Sequence, residues 1–194
     1  MQPLCRYCLI VLISILTGQV VAKDMAGVTL KEVIRLSPEL DPIRLNGASV
    51  KRRAGHDIYV GGLYLEKQIH SLDELLADKG PKRFLFYCKA STFSPETLIR
   101  NLDQGITINN SPEIIKSIEA DLKTFGDIWK AYPIHRDDEI WIDYIPSMGT
   151  RVSMNGTTIS EIKGSVFYEA FLRAWFGDYP VNPKFKKAML NMDS

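Results

Sequence analysis

The segment LNGASVKRRAGHDIYVGGLYLE, residues 45–66, constrains the fold most, because it has the pattern of a strand, a basic turn and a second strand. We predict strands over 42–51 and 56–66. Strands that are joined by a short turn pair in the antiparallel sense. An antiparallel sheet is therefore the expected centre of the fold.

Other segments extend this predicted sheet. Apolar and aromatic residues predict strands over 27–33, 82–90 and 138–146, the last from a period-two alternation. A hairpin is predicted over 150–162, because Asn155-Gly156 is the pair that its tight turn prefers.

Helix-start signals recur between the strands. Ser71-Leu-Asp-Glu74 is a capping-box pattern, in which Ser71 bonds the Glu74 amide and Glu74 reaches back, and Gly80-Pro81 is the predicted end of that helix. Ser94-Pro95 predicts a helix that stops at Gly105.

Ser111-Pro112 predicts the next helix, whose apolar residues form one core-facing stripe. The stripe consists of Ile115, Ile118, Leu122, Phe125 and Trp129. Two more helices are predicted over 165–176 and 184–190. This order of elements predicts an α+β fold, in which helices cover one face of an antiparallel sheet.

The N-terminus has the pattern of a secretory signal peptide over residues 1–22. Arg6 is the only charge before Lys23, residues 9–16 are apolar but too few to span a bilayer, and Val20-Val21-Ala22 offers a small-residue cleavage site. The alternative is an uncleaved N-terminal anchor. We expect cleavage near Ala22 and a periplasmic or secreted protein.

Residues 23–194 are then predicted to form one domain. Without Arg6 this part carries no net charge, which gives no case for a nucleic-acid partner. Cys88 is its single cysteine, so an internal disulfide is excluded and a buried apolar thiol is expected. The three histidines stand at no ligand spacing, and no cofactor motif occurs, so neither a metal nor a cofactor is predicted.

Five segments together resemble the chalcone isomerase-like family, and in particular its bacterial secreted branch. They are LNGASVK (45–51), VGGLYLE (60–66), SPETL (94–98), MGTRVSMNG (148–156) and FLRAWFGDYPVNPKFKKAML (171–190). The resemblance implies an open-faced β-sandwich, with a large antiparallel sheet and a layer of helices. It also implies a hydrophobic cleft, in which family enzymes cyclise a chalcone and other members bind fatty acids.

The resemblance assigns site roles position by position. The arginine that attracts the anion falls on Lys51, the strand threonine on Tyr59, and the helix tyrosine on Thr97. The distal asparagine falls on Gln104 and the distal threonine on Ala174. None of these positions keeps the residue of the enzymes, so chalcone cyclisation is not expected.

Three functions follow as alternatives. The first is a non-catalytic binding protein for a fatty acid or a similar amphipathic anion. The second is an isomerase or intramolecular lyase that uses Lys51 and Tyr59, and the third is a structural or partner protein with a filled cleft. The basic run Lys51-Arg52-Arg53 has two interpretations: Lys51 at the mouth of a cleft, or a solvated turn that binds nothing.

Overall fold

A seven-stranded antiparallel sheet forms the centre of the computed structural model, which describes residues 22–90 and 95–192. The predicted signal segment before Ala22 and the predicted helix cap Ser94 lie outside the described residues. In spatial order, which is also chain order, the strands are β3 (Val33–Ile34), β4 (Ile43–Arg53), β5 (His56–Leu65), β6 (Lys82–Cys88), β7 (Glu139–Ile145), β8 (Gly149–Met154) and β9 (Thr157–Lys163).

Two further strands, β1 (Ala22–Met25) and β2 (Val28–Lys31), pair only with each other and form what we call the N-terminal ribbon. The strand predicted over 27–33 is therefore divided between β2 and β3. The strand β1 was not predicted, because its sequence AKDM is polar and three of its four residues are exposed.

The helices are α1 (Leu72–Ala77), α2 (Pro95–Asn109), α3 (Pro112–Ser117), α4 (Glu119–Ala131), α5 (Val166–Phe176) and α6 (Pro183–Met189). They pack on one face of the sheet and bury a large apolar core against it. The N-terminal ribbon and residues 34–40 cover part of the opposite face, over a smaller core. The predicted α+β class, with helices on one face, is confirmed. Within the described residues, no helix is long and apolar enough to cross a membrane.

The predicted end of α2 at Gly105 is wrong, because the helix continues to Asn109. A Cβ atom at residue 105 would lie 2.7 Å from Cγ2 of Val181 and 3.2 Å from Cβ of Ala174. Gly105 therefore lets α2 approach α5 closely and does not end the helix. The side chain of Asn109 donates to the carbonyl oxygens of Gly105 and Tyr179 at 2.8 and 2.9 Å, which closes the last turn.

The start of α1 differs in detail from the predicted capping box. Ser71 Oγ accepts from the Glu74 amide at 3.2 Å, as predicted. The Glu74 carboxylate accepts from the amide of His70 at 3.1 Å rather than from that of Ser71. The helix ends at Ala77, before the predicted stop at Gly80-Pro81.

The segment that follows Ser111 forms two short helices, α3 and α4, which are separated at Ile118. The predicted stripe nevertheless faces the core: Ile118, Phe125 and Trp129 are buried, and Ile115 and Leu122 pack against them. The hairpin of β8 and β9 is also confirmed. Its turn residues Asn155 and Gly156 have φ angles of 50° and 83°, the left-handed region that this turn requires.

Candidate functional site

Lys51 and Tyr59 are cross-strand partners on β4 and β5. Residues that pair directly across an antiparallel ladder project to the same face, and Tyr59 belongs to the helix-facing core. Lys51 is half-buried and has no ion-pair partner among the described residues. Arg52 instead forms an exposed ion pair across the turn with Asp57, at 2.7 Å. The basic run therefore divides into one residue on the helix-facing side and a solvated turn.

Tyr59 is buried among aromatic rings, with a side chain that is only 6% exposed. Its ring centroid lies 5.4 Å from that of Phe86 and 5.6 Å from that of Phe185, both in edge-on geometry. Its hydroxyl has no hydrogen-bond partner in the described part of the chain. Burial raises the pKa of Tyr59 far above its usual value, so the hydroxyl stays protonated near neutral pH and is available as a donor.

Thr97 and Gln104 both lie on α2, two turns apart. The Thr97 hydroxyl accepts from Nη2 of Arg100 at 3.4 Å. Gln104 is exposed and lines an open groove of about 1360 Å³ between α2 and α4. The side of α2 that bears Gln104 faces this groove, away from the sheet.

Ala174 is fully buried on α5 and faces Gly105 of α2, where a Cβ atom at residue 105 would lie 3.2 Å from Cβ of Ala174. The structure thus brings Lys51 and Tyr59 together. Gln104 is exposed in the groove, whereas Ala174 is fully buried against Gly105 of α2. The five residues that the resemblance assigned do not line one pocket.

Apolar side chains occupy the space between α2 and the sheet. A cavity of about 20 Å³ remains there, lined by Phe86, Ile99, Leu102, Phe125, Trp129, Ile140, Ile142, Phe171 and Trp175. Such a volume holds about one water molecule. Ile99 and Trp129 also line the groove, so these two side chains separate the cavity from the groove.

The adjacent glycines Gly61 and Gly62 have separate roles. A Cβ atom at Gly61 would lie 2.2 Å from Cζ of Phe185, so the glycine admits this ring of α6 onto the sheet. A Cβ atom at Gly62 would lie 3.2 Å from the ring of Tyr64, on the opposite face. The close approach at this pair is thus made by a side chain of the protein itself.

Among the aromatic residues, Tyr59 and Trp175 are buried in the helix-facing core, whereas Tyr64 is buried and Tyr87 and Trp141 are half-buried on the opposite face. Cys88 is buried as predicted, and burial raises the pKa of its thiol. Within residues 22–90 and 95–192, no cluster of side chains has the composition of a metal site.

Sequence reasoning did not find a buried ion cluster on the sheet. Arg83 donates to Asp143 from Nε at 2.6 Å and from Nη2 at 2.8 Å, and Arg151 donates to the same carboxylate at 3.0 Å. Arg83, Asp143 and Arg151 each stand in a strand between residues whose side chains face the helical core. This alternation along each strand indicates that the three charges point to the opposite face, but only the pairing of β6, β7 and β8 brings them into contact.

A curled antiparallel sheet covered by one layer of helices is a chalcone isomerase-like architecture. The chain belongs to the chalcone isomerase-like family, because the family model of that description matches residues 22–191. No curated protein sequence matches this chain.

A solved structure with the same fold is that of a fatty-acid binding protein from Arabidopsis thaliana. The two chains are 15% identical, with a TM-score of 0.63, and the similarity covers 88% of this chain and 96% of the plant protein. At this identity the likeness shows the fold alone. It agrees with the fold that the sequence resemblance implied.

Proposed function

We propose that this protein is a non-catalytic binding protein for a fatty acid or a similar amphipathic anion. The single observation that carries the proposal is the cross-strand pair of Lys51 and Tyr59. The pair places the Lys51 ammonium beside the buried hydroxyl of Tyr59, which stays protonated. Within the described part of the chain, Lys51 has no ion-pair partner. The two groups suit a carboxylate, which accepts from both.

The head group would bind through charge and hydrogen bonding together. A charge-assisted hydrogen bond contributes about 1.5–3 kcal/mol, more than a neutral one. Lys51 supplies the charge, and the Tyr59 hydroxyl supplies a second, directional donor. Tyr59 is not suited to act as a base, because burial disfavours its ionised form.

The apolar tail would enter the space between α2 and the sheet. The Tyr59 ring contacts Phe86, and Phe86 lines the apolar cavity, so a continuous apolar path leads inward from the proposed head-group site. A cavity of about 20 Å³ is far smaller than an acyl chain. Binding therefore requires α2 to move outward, with Ile99 and Trp129 as the side chains that separate the cavity from the open groove.

The plant structure supports the choice of ligand class, since it is the structure of a fatty-acid binding protein. The substituted site residues support a non-catalytic role. None of the five assigned positions keeps the residue of the family enzymes, and Ala174, which is fully buried on α5, offers no polar side chain.

A second candidate is a structural or partner protein with a filled cleft. The observation that favours it is the packing itself: Phe185 occupies the space above Gly61, and the residual cavity holds about one water molecule. This candidate predicts that no amphipathic ligand enters, whereas the first predicts that ligand binding displaces α2.

The proposal includes export and a place in the bacterial secreted branch of the family. Its basis is the signal-peptide pattern of residues 1–22. Intact mass of the exported protein tests this part. A mature chain that begins at Lys23 is expected, and a membrane-retained chain that keeps residues 1–22 would favour an anchor instead.

Native mass spectrometry of the protein purified from a bacterial periplasm tests the binding function directly. We expect a co-purified species with the mass of a fatty acid, and a smaller bound fraction in Lys51→Ala. Protein that carries no small molecule, and takes up none when dodecanoate is added, would favour the filled-cleft candidate.

A further inference from the structure

A second cavity lies on the face of the sheet opposite the helices. It has a volume of about 600 Å³ and lies between the N-terminal ribbon and strands β5, β6 and β7. This volume is within the range of small-molecule sites, which is about 300–1,000 Å³. The sheet separates it from Lys51 and Tyr59, so it does not belong to the site described above.

Arg83 forms the polar wall of this cavity, although it is only 6% exposed. Its Nε and Nη2 atoms donate to Asp143 at 2.6 and 2.8 Å, and its guanidinium carbon lies 3.9 Å from the centroid of the Trp141 ring. Within the described residues, Nη1 has no hydrogen-bond partner. A buried guanidinium thus keeps one terminal nitrogen free to donate.

The charge around the cavity is positive in excess. Arg83 and Arg151 share the single carboxylate of Asp143, which is fully buried. Lys31 and Arg35 also line the cavity. Among the described residues, Glu139 is the one carboxylate in the cavity wall, and it accepts from Nε1 of Trp141 at 2.6 Å. Three cations therefore line the cavity against one carboxylate, and the Arg151–Asp143 pair behind the wall adds no net charge, so an anion would balance the excess.

The remaining wall is mostly aromatic and aliphatic. The rings of Tyr64, Tyr87 and Trp141 and the side chains of Leu30 and Leu85 line the cavity. Aromatic side chains favour a flat apolar ligand, because stacked and edge-on contacts add to the gain from burial. The wall therefore combines a flat apolar surface with one buried cationic donor.

We propose that this cavity binds a small planar aromatic oxyanion, such as an aromatic carboxylate. The anionic group accepts from Nη1 of Arg83, and the ring packs against Tyr87 and Trp141. Bidentate pairing with Asp143 holds the guanidinium in place for this contact. The site is independent of the proposed fatty-acid function, because it uses the other face of the sheet.

Titration of 2-naphthoate into the ¹⁵N-labelled protein, followed by NMR, tests this proposal. We expect saturable shifts of the Trp141 indole N–H and of amides in β2 and β6, while the indoles of Trp129 and Trp175, in the helix-facing core, stay in place. Uncharged 2-naphthalenemethanol should bind at least tenfold more weakly. Shifts confined to the helix-facing core, or no saturation at millimolar naphthoate, would overturn the proposal.

Two variants locate the anionic group. Arg83→Gln should weaken naphthoate binding by at least tenfold. Lys31→Glu reverses an exposed charge in the cavity wall without disturbing the core, and it should weaken binding by about fivefold. Lys23→Glu is the matched control, because it makes the same change in the N-terminal ribbon at a position outside the wall. Equal affinity of Lys31→Glu and Lys23→Glu for naphthoate would show that the anion does not bind in this cavity. This conclusion does not depend on whether Arg83→Gln folds.

Discussion

Gly61 and Phe185 are matched across the interface of β5 and α6: a Cβ atom at residue 61 would lie 2.2 Å from Cζ of the Phe185 ring. Gly61→Ala should destabilise the protein by about 1–3 kcal/mol through overpacking. Phe185→Ala alone should cost about 3–5 kcal/mol, because it leaves a cavity. In the Phe185→Ala background, adding Gly61→Ala should cost almost nothing.

Urea unfolding of the four proteins in this double-mutant cycle measures the coupling between the two residues. The expected coupling is about 1–3 kcal/mol, with the double variant more stable than the sum of the single changes predicts. Additive effects would show that the ring does not occupy the space above Gly61.

Gly105 and Gly126 offer a matched pair of helical glycines. A Cβ atom at Gly105 would lie 2.7 Å from Val181, whereas one at Gly126 on α4 would meet nothing within 4 Å. Gly126→Ala should stabilise the protein by about 0.5–1 kcal/mol through helix propensity. Gly105→Ala should destabilise it despite the same gain, because α2 would be pushed away from α5. Thermal unfolding of both variants checks this, and equal shifts of the same sign would contradict the close packing.

Three buried tyrosines predict a loss of stability at alkaline pH. Burial raises the pKa of Tyr59 and Tyr168 far above the usual value, and burial together with the charge of Glu139 raises that of Tyr64 to about 12. The unfolded chain releases these protons near pH 10, while the folded protein keeps them. Stability is therefore complete below about pH 10 and falls as the pH rises, by up to about 4 kcal/mol per pH unit for three protons.

Urea unfolding between pH 9 and 11.5 measures this slope. Tyr168→Phe should reduce it by about one proton, or about 1.4 kcal/mol per pH unit. Burial lowers the pKa of Lys82, which makes stability rise with pH and so opposes the effect of the tyrosines. This contribution is the same in Tyr168→Phe and wild type, so it cancels when their slopes are compared. Tyr179→Phe, at a ring that is 65% exposed, is the control. An unchanged slope in Tyr168→Phe would contradict the prediction.

The elements of the sheet could be predicted because their signals are local. Asn155-Gly156 specifies its own turn, and the strands on either side of Lys51-Arg52-Arg53 need only a short basic bend between them. The same holds for the stripe that ends at Trp129, whose spacing alone determines its buried side. The polar strand β1 had no such pattern and was missed.

Contacts between distant segments could not be predicted in the same way. A glycine in a helical sequence can either end the helix or allow it to pack closely against a neighbour. For Gly105 the second holds, and the contacts that show it come from Val181 and Ala174, which are distant in the sequence. Likewise, the sequence gives the position of Gln104 along α2, but it does not show that α4 forms the other wall of the groove on that side of the helix. The sequence therefore predicts which residues belong to the candidate site, but it does not predict how they are arranged in space.

The protein is not expected to cyclise chalcones. None of the five assigned positions keeps the residue of the enzymes, and Ala174 is fully buried and has no polar group to orient a substrate. Absorbance of a hydroxychalcone, followed with and without protein, measures the rate. A protein-dependent rate that Lys51→Ala abolishes would contradict the non-catalytic role and favour an isomerase.

Calorimetric titration of dodecanoate into the folded protein tests the central claim most directly. We predict saturable binding that Lys51→Ala weakens by about tenfold to a hundredfold, the worth of one charge-assisted hydrogen bond, and that Lys51→Arg preserves. Arg53→Ala, at an exposed position of the same turn, should bind as wild type does. Equal affinity in Lys51→Ala and wild type, or no binding by either, would contradict the account and leave the protein with a filled cleft.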